Sequence, residues 1–184
     1  MTHLNHRGWT WLLAGVLVAA AAAAAAAQST VRITPVLADE MVFATFAVPT
    51  VFSDDVHEAV QSGIPVTLTF AVELRRSATL WFDKTVGEAE VASTVRFDPL
   101  TGAYQVSKLR AGTVHWSQQT QKADEMRQWA TEFERVPLES TTAIAERGEY
   151  YIRVRARDGL PRGFSLWPFG RDSITVRVEV PAGR

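Results

Sequence analysis

Two-residue alternation dominates the chain. In "GIPVTLTFAVELRRSATLWFDKTVG", Gly63 to Gly87, Val66, Leu68, Phe70, Val72 and Leu74 share one face. Thr67, Thr69, Ala71, Glu73 and Arg75 share the other. Such a pattern predicts a strand with one buried face and one that meets water or a polar layer. A parallel sheet covered on both faces would read as continuously apolar, so antiparallel pairing is expected. "YYIRVRARD" repeats the pattern, with Tyr150, Ile152, Val154 and Ala156 against Tyr151, Arg153, Arg155 and Arg157. "SITVRVEV" does so again through Ile174, Val176, Val178 and Val180.

Other segments fill in the architecture. Val31 to Val48 reads as two strands, or one bent strand, with a reversal at Asp39-Glu40; Pro35 suggests an edge or a bulge. "VFSDDVHEAVQSG" predicts a short helix: Ser53 caps it, Asp54 and Asp55 suit its positive end, and Gly63 its stop. Val56, Ala59 and Val60 face inward. Leu80 to Asp83 and Glu88 to Phe97 read as strands, and Thr113 to Ser117 as a short one. "RFDPLTGAYQV" carries hairpin chemistry in Asp98, Pro99 and Gly102. From Gln119 to Phe133 the period changes, with Ala123, Met126, Ala130 and Phe133 at helical spacing and Trp129 beside them. The expected fold is mainly β with two short helices, an antiparallel β-sandwich or partly closed β-barrel.

The first 27 residues do not belong to that pattern. Arg7 precedes an apolar run from Leu12 to Ala27, and the small residues before Gln28 suit cleavage between Ala27 and Gln28. Residues 1–27 are therefore expected to be a secretory signal, or an uncleaved anchor, ahead of a single β-rich domain at 28–184. Removing 27 of 184 residues leaves 157, enough for one real core. Arg7 is the only charged residue lost, which leaves 18 basic against 20 acidic side chains and argues against a general nucleic-acid binder.

The chain has no cysteine, which removes disulfides, thiol catalysis, cysteine-ligated zinc and lipoprotein anchoring. His57 and His115, the two histidines beyond the leader, form no H-E-x-x-H motif. No G-x-S-x-G elbow, phosphate-binding glycine loop or calcium loop is present. No cofactor or metal is expected. Glu73 and Asp83 flank Arg75-Arg76 and could form an acid–base pair, but a charge ladder across strands explains Glu73 more simply. Arg153, Arg155 and Arg157 line up over about 14 Å, at about 3.4 Å per residue. They could grip an anionic group bidentately, or pair with Glu73 or Glu179 on a solvated face. Phe164, Trp167 and Phe169 sit in the Gly/Pro loop "GLPRGFSLWPFGRD", either as an exposed contact or as a plug for the sandwich.

Leader, short helix, "VELRR", "LWFD", "RFDPLTGAYQV", a helix with Trp129 and "YYIRVRARDGLPRGF" follow one another in an order that resembles the bacterial domain-of-unknown-function family 4390. The likeness covers nearly all of the chain after the leader, although Ser77-Ala78-Thr79 stands where the family pattern is rich in aromatics. It implies an exported, envelope-side protein linked to an envelope sensor kinase, and carries over no catalytic residue. The expectation is a non-enzymatic binding domain outside the cytoplasm, for an envelope protein partner or an anionic ligand, with membrane contact only through a retained leader. The alternatives are a lipocalin-like carrier of a small apolar ligand and, last, a carboxylate-dependent hydrolase.

Overall fold

The computed structural model describes residues 31–78, 82–144 and 149–158. The leader with Ala27 and Gln28, Leu80 and Trp81, the loop with Phe164, Trp167 and Phe169, and the expected strand at 173–180 lie outside the described residues.

Among the described residues eight strands, all paired antiparallel, make two sheets. The first has the order β1 (Arg32–Ala38), β2 (Met41–Ala47), β7 (Glu132–Ser140). The second runs β6 (Thr113–Thr120), β5 (Ala103–Arg110), β4 (Lys84–Asp98), β3 (Val66–Arg76), β8 (Tyr150–Asp158). Helices α1 (Asp54–Gln61) and α2 (Ala123–Thr131) complete the set. Among the described residues no barrel closes, and the arrangement is sandwich-like.

Local chemistry explains the turns. Asp39 and Glu40 both have positive φ, 52° and 57°, and join Ala38 to Met41 in the two-residue geometry that matches strand twist. Pro35 lies on β1, an edge of its sheet, where no ladder bond is lost. The Asp98 carboxylate accepts from the Leu100 N–H (2.9 Å) and the Thr101 hydroxyl (3.0 Å), closing the β4–β5 hairpin. Those bonds hold its carboxyl below the usual range, the Leu100 amide contributing most. Ser53 caps α1 by accepting from the Val56 N–H at 3.3 Å, and Val56, Ala59 and Val60 turn inward as their spacing requires.

The sheets meet through aromatics. Phe46 of β2, Phe70 of β3 and Phe133 of β7 have ring centroids 5.1 to 5.6 Å apart. Leu68, Phe70, Val72 and Leu74 of β3 are fully buried with them. Gly87 of β4 is a second point of close approach: an added Cβ would stand 2.7 Å from the Leu138 carbonyl oxygen and 2.7 Å from the Glu139 Cβ.

Three expectations need correction. The helix expected over Gln119 to Phe133 covers only Ala123–Thr131, because Gln119 and Thr120 pair with Gln105 and Tyr104 in β6. At the other end Glu132 turns extended (φ −105°, ψ 135°), and Phe133 becomes a strand residue stacked on Phe46. Strand β7 was not expected at all. Its alternation breaks where Glu134 and Arg135 together oppose Thr45, with Arg135 at φ 48°, so Phe133, Val136 and Leu138 are buried at uneven spacing. Phe82 and Asp83 belong to no strand: Phe82 is 97% exposed and Asp83 serves as a brace.

Candidate functional site on the outer face of the larger sheet

Strand β3 has a second face, turned from the core, and here the polar half of its alternation gathers. In register, Glu73 lies between Glu88 of β4 and Arg153 of β8. The next row is Glu90, Ala71, Arg155, and the one after is Ala92, Thr69, Arg157. Bases thus run along β8, carboxylates along β4, and small side chains fill much of the strip between.

Glu73 is the hub. Its side chain is only 6% exposed. Arg153 donates to Oε2 from Nε at 3.1 Å and from Nη2, Arg155 donates to Oε1 from Nη2, and Arg75 stands 3.7 Å away as an ion pair. A carboxylate directly opposite another on a neighbouring strand is repelled, so three guanidinium groups offset both Glu88 and the loss of water. Among the described residues the donors outnumber the acceptors: Arg75 Nε and Arg155 Nε are buried without a partner. Exposure grades along the set, with side chains of Arg75 at 17%, Arg153 at 24% and Arg155 at 41%. Arg155 reaches furthest into water of the three.

Asp83 extends the cluster. Its Oδ2 accepts from the Tyr151 hydroxyl at 2.5 Å, its Oδ1 from the Ala78 N–H at 3.2 Å, and its carbonyl from Arg75 Nη2 at 2.6 Å. Burial, then the bond to Asp83, pushes the Tyr151 phenol above its ordinary pKa.

A second charged group on the same sheet was not singled out from sequence. Lys108 of β5 lies 4.9 Å from the Trp116 ring centroid and 5.2 Å from that of Phe133, and its Nζ donates to the Glu132 carbonyl at 2.8 Å. Trp116 meets Trp129 of α2 edge-on at 5.5 Å. Burial lowers the Lys108 pKa, with Glu132 and Glu134 opposing the shift. Nothing in "YQVSKLR" announces this site, because the rings come from β6 and β7.

Arg153 and Arg155 are brought together as expected, both on Glu73; Arg157 holds the next row in register. The pairing of Arg153 and Arg155 with Glu73 is the one anticipated for a charged strand face. His57 lies on α1 beside Phe52 with ring centroids 6.2 Å apart, and His115 is exposed on β6. Among the described residues no group of three or more His, Asp or Glu could hold a metal ion. The acidic side, Glu88 and Glu90, was missed. "EAEVAST" shows their shared face, but only the register places them opposite the arginines.

Fold and site together define a mainly-β sandwich with a charge-segregated outer face. The family follows from the sequence match: the chain belongs to the family described as Domain of unknown function (DUF4390), whose model covers residues 25–177. No curated protein and no solved structure matches it.

Proposed function

We propose that the chain is an exported, non-enzymatic binding domain of the bacterial envelope, which docks a protein partner bearing acidic groups against the arginines of β8. The observation that carries this reading is the surplus of cations around Glu73. Three guanidinium groups share one carboxylate, and the outermost, Arg155, is part-exposed at 41% with its Nη2 alone engaged by Glu73. Guanidinium groups held in place by a buried hub lose little freedom on binding and meet carboxylates in forked geometry.

Support against an acid–base site comes from occupancy. Glu73 is committed to arginines, and Asp83 to Tyr151 and the Ala78 amide, so each carboxylate braces structure. The carrier alternative needs a closed barrel around a ligand, whereas the described strands form two sheets with Phe46, Phe70 and Phe133 packed between them. Export rests on the leader pattern, and the link to an envelope sensor kinase on the family resemblance.

Photo-crosslinking in cells tests the docking face. A crosslinking residue at position 92, on the outer face, is expected to give a defined protein adduct that Arg155→Glu abolishes. One at position 100, on the β4–β5 turn, is expected to give none. No adduct at 92, or one indifferent to Arg155→Glu, overturns the reading. Export is checked separately by N-terminal sequencing of envelope-extracted protein, expected to begin at Gln28.

A further inference from the structure

Charge segregation on the outer face has a symmetry that names one partner. Across β3, Arg155 and Glu90 stand in one row on either side of Ala71, and Arg153 and Glu88 in the next on either side of Glu73. Strands lie about 4.8 Å apart, so each base and its row-mate are about 10 Å apart across the strip. Glu88 and Glu90 are exposed, and neither has an ion-pair partner among the described residues. Glu88 and Glu90 lie on β4 and Arg153 and Arg155 on β8, so the charges that flank β3 are of opposite sign on its two sides.

The flanking charges of such a face meet their opposites under a two-fold axis along β3, while Ala71, Glu73 and Arg75 of β3 itself lie on that axis against their own copies. A two-fold axis running along β3, between two facing copies, carries the β8 side of one over the β4 side of the other at the same height. Arg155 then meets Glu90 of the second copy and Arg153 meets its Glu88, each contact occurring twice. An in-plane axis across the strands would instead set arginine over arginine. Thr69, Ala71 and Ala92 are small and partly exposed, so the centre of the face permits the roughly 10 Å approach usual for stacked sheets. Closed two-fold interfaces use the same patch on both subunits, as this geometry does.

We propose that the outer face of the larger sheet is the interface of a two-fold homodimer, held by reciprocal Arg155–Glu90 and Arg153–Glu88 pairs. The inference rests on the reading of this face as a docking surface and commits it to a second copy of this chain.

Sedimentation of the envelope-purified chain tests it. A monomer–dimer equilibrium is expected, weakening as salt rises from about 0.1 to about 0.5 M because the contacts are ionic and part-exposed. Glu90→Arg is expected to weaken association about tenfold or more, and combining it with Arg155→Glu to restore most of the loss. Should Arg155→Glu fail to fold, Ala92→Arg adds bulk to the face without touching Glu73 and is expected to leave monomer. A chain that is monomeric at every concentration, or a dimer indifferent to Glu90→Arg and Ala92→Arg, overturns the proposal. A monomeric chain whose position-92 adduct still depends on Arg155 would remove the homodimer and leave docking to another protein standing.

Discussion

Glu73 and Lys108 sit on the same five-stranded sheet, two strands apart, and each has been taken largely out of water. They are accommodated by opposite means. Glu73, on the outer face, is held by three guanidinium groups in direct contact. Lys108, on the inner face, makes no ion pair among the described residues, and Glu134 and Glu132 act on it only at longer range; two ring faces and one backbone carbonyl replace its hydration. An ion answered by ions leaves unpaired charge when it is removed. An ion answered by rings leaves only apolar surface and one carbonyl. The first arrangement creates a charged surface, whereas the second pins strands and helix together. That difference is why the binding reading rests on Glu73 and its arginines and not on Lys108.

The largest expected effect is at the hub. Glu73→Gln should destabilise the fold by about 3 kcal/mol, the lower end for breaking a buried ion cluster because its arginines are part-exposed, read from urea unfolding. Ser93 sits opposite Lys108 in register, and its buried hydroxyl donates to the Ala130 carbonyl at 2.6 Å near the end of α2. Ser93→Ala should cost about 1–2 kcal/mol, since a buried carbonyl loses its donor. Lys108→Met should change stability by less than about 1 kcal/mol, because relief from desolvation offsets the lost bond and ring contacts. Equal costs at Glu73 and Lys108 would break the contrast between them.

The smallest effects are in the pH profile, and their signs differ. The Lys108 pKa is lowered from 10.5, so between the lowered value and 10.5 the unfolded chain binds more protons and stability rises with pH. Lys108→Met should lack that rise. The Tyr151 pKa is raised from 10.0, so above about pH 10 the unfolded chain ionises first and stability falls. Tyr151→Phe should lack that fall. Thermal melts of both variants against the parent between about pH 8 and pH 11 separate the two contributions.

Much of this was legible in the sequence wherever one residue type per position was enough. The faces of β3 and β8, the Ser53 cap, the Asp39-Glu40 reversal and the Asp98 hairpin all follow from local chemistry. Strand β7 was hidden by a bulge at Glu134 and Arg135, which breaks the period, and by Pro137, which an edge strand tolerates. Phe133 satisfied the helical spacing of Met126 and Ala130 while belonging to the strand that follows. The arginine row was readable as a row. That Glu73 would take two of its members, and Glu88 and Glu90 would face it across β3, depended on cross-strand register, which alternation does not encode.

The central claim is that the cation surplus around Glu73 serves contact with another molecule more than it serves folding. Arg155→Gln tests it most directly when melting temperature and crosslink yield at position 92 are measured on the same preparation. Glu73 keeps Arg153 and Arg75 in that variant, so the account predicts a melting temperature lowered by no more than about 4 °C, equivalent to roughly 1 kcal/mol, with adduct yield cut at least about tenfold. A protein that melts far earlier yet forms the adduct undiminished per folded molecule would contradict it.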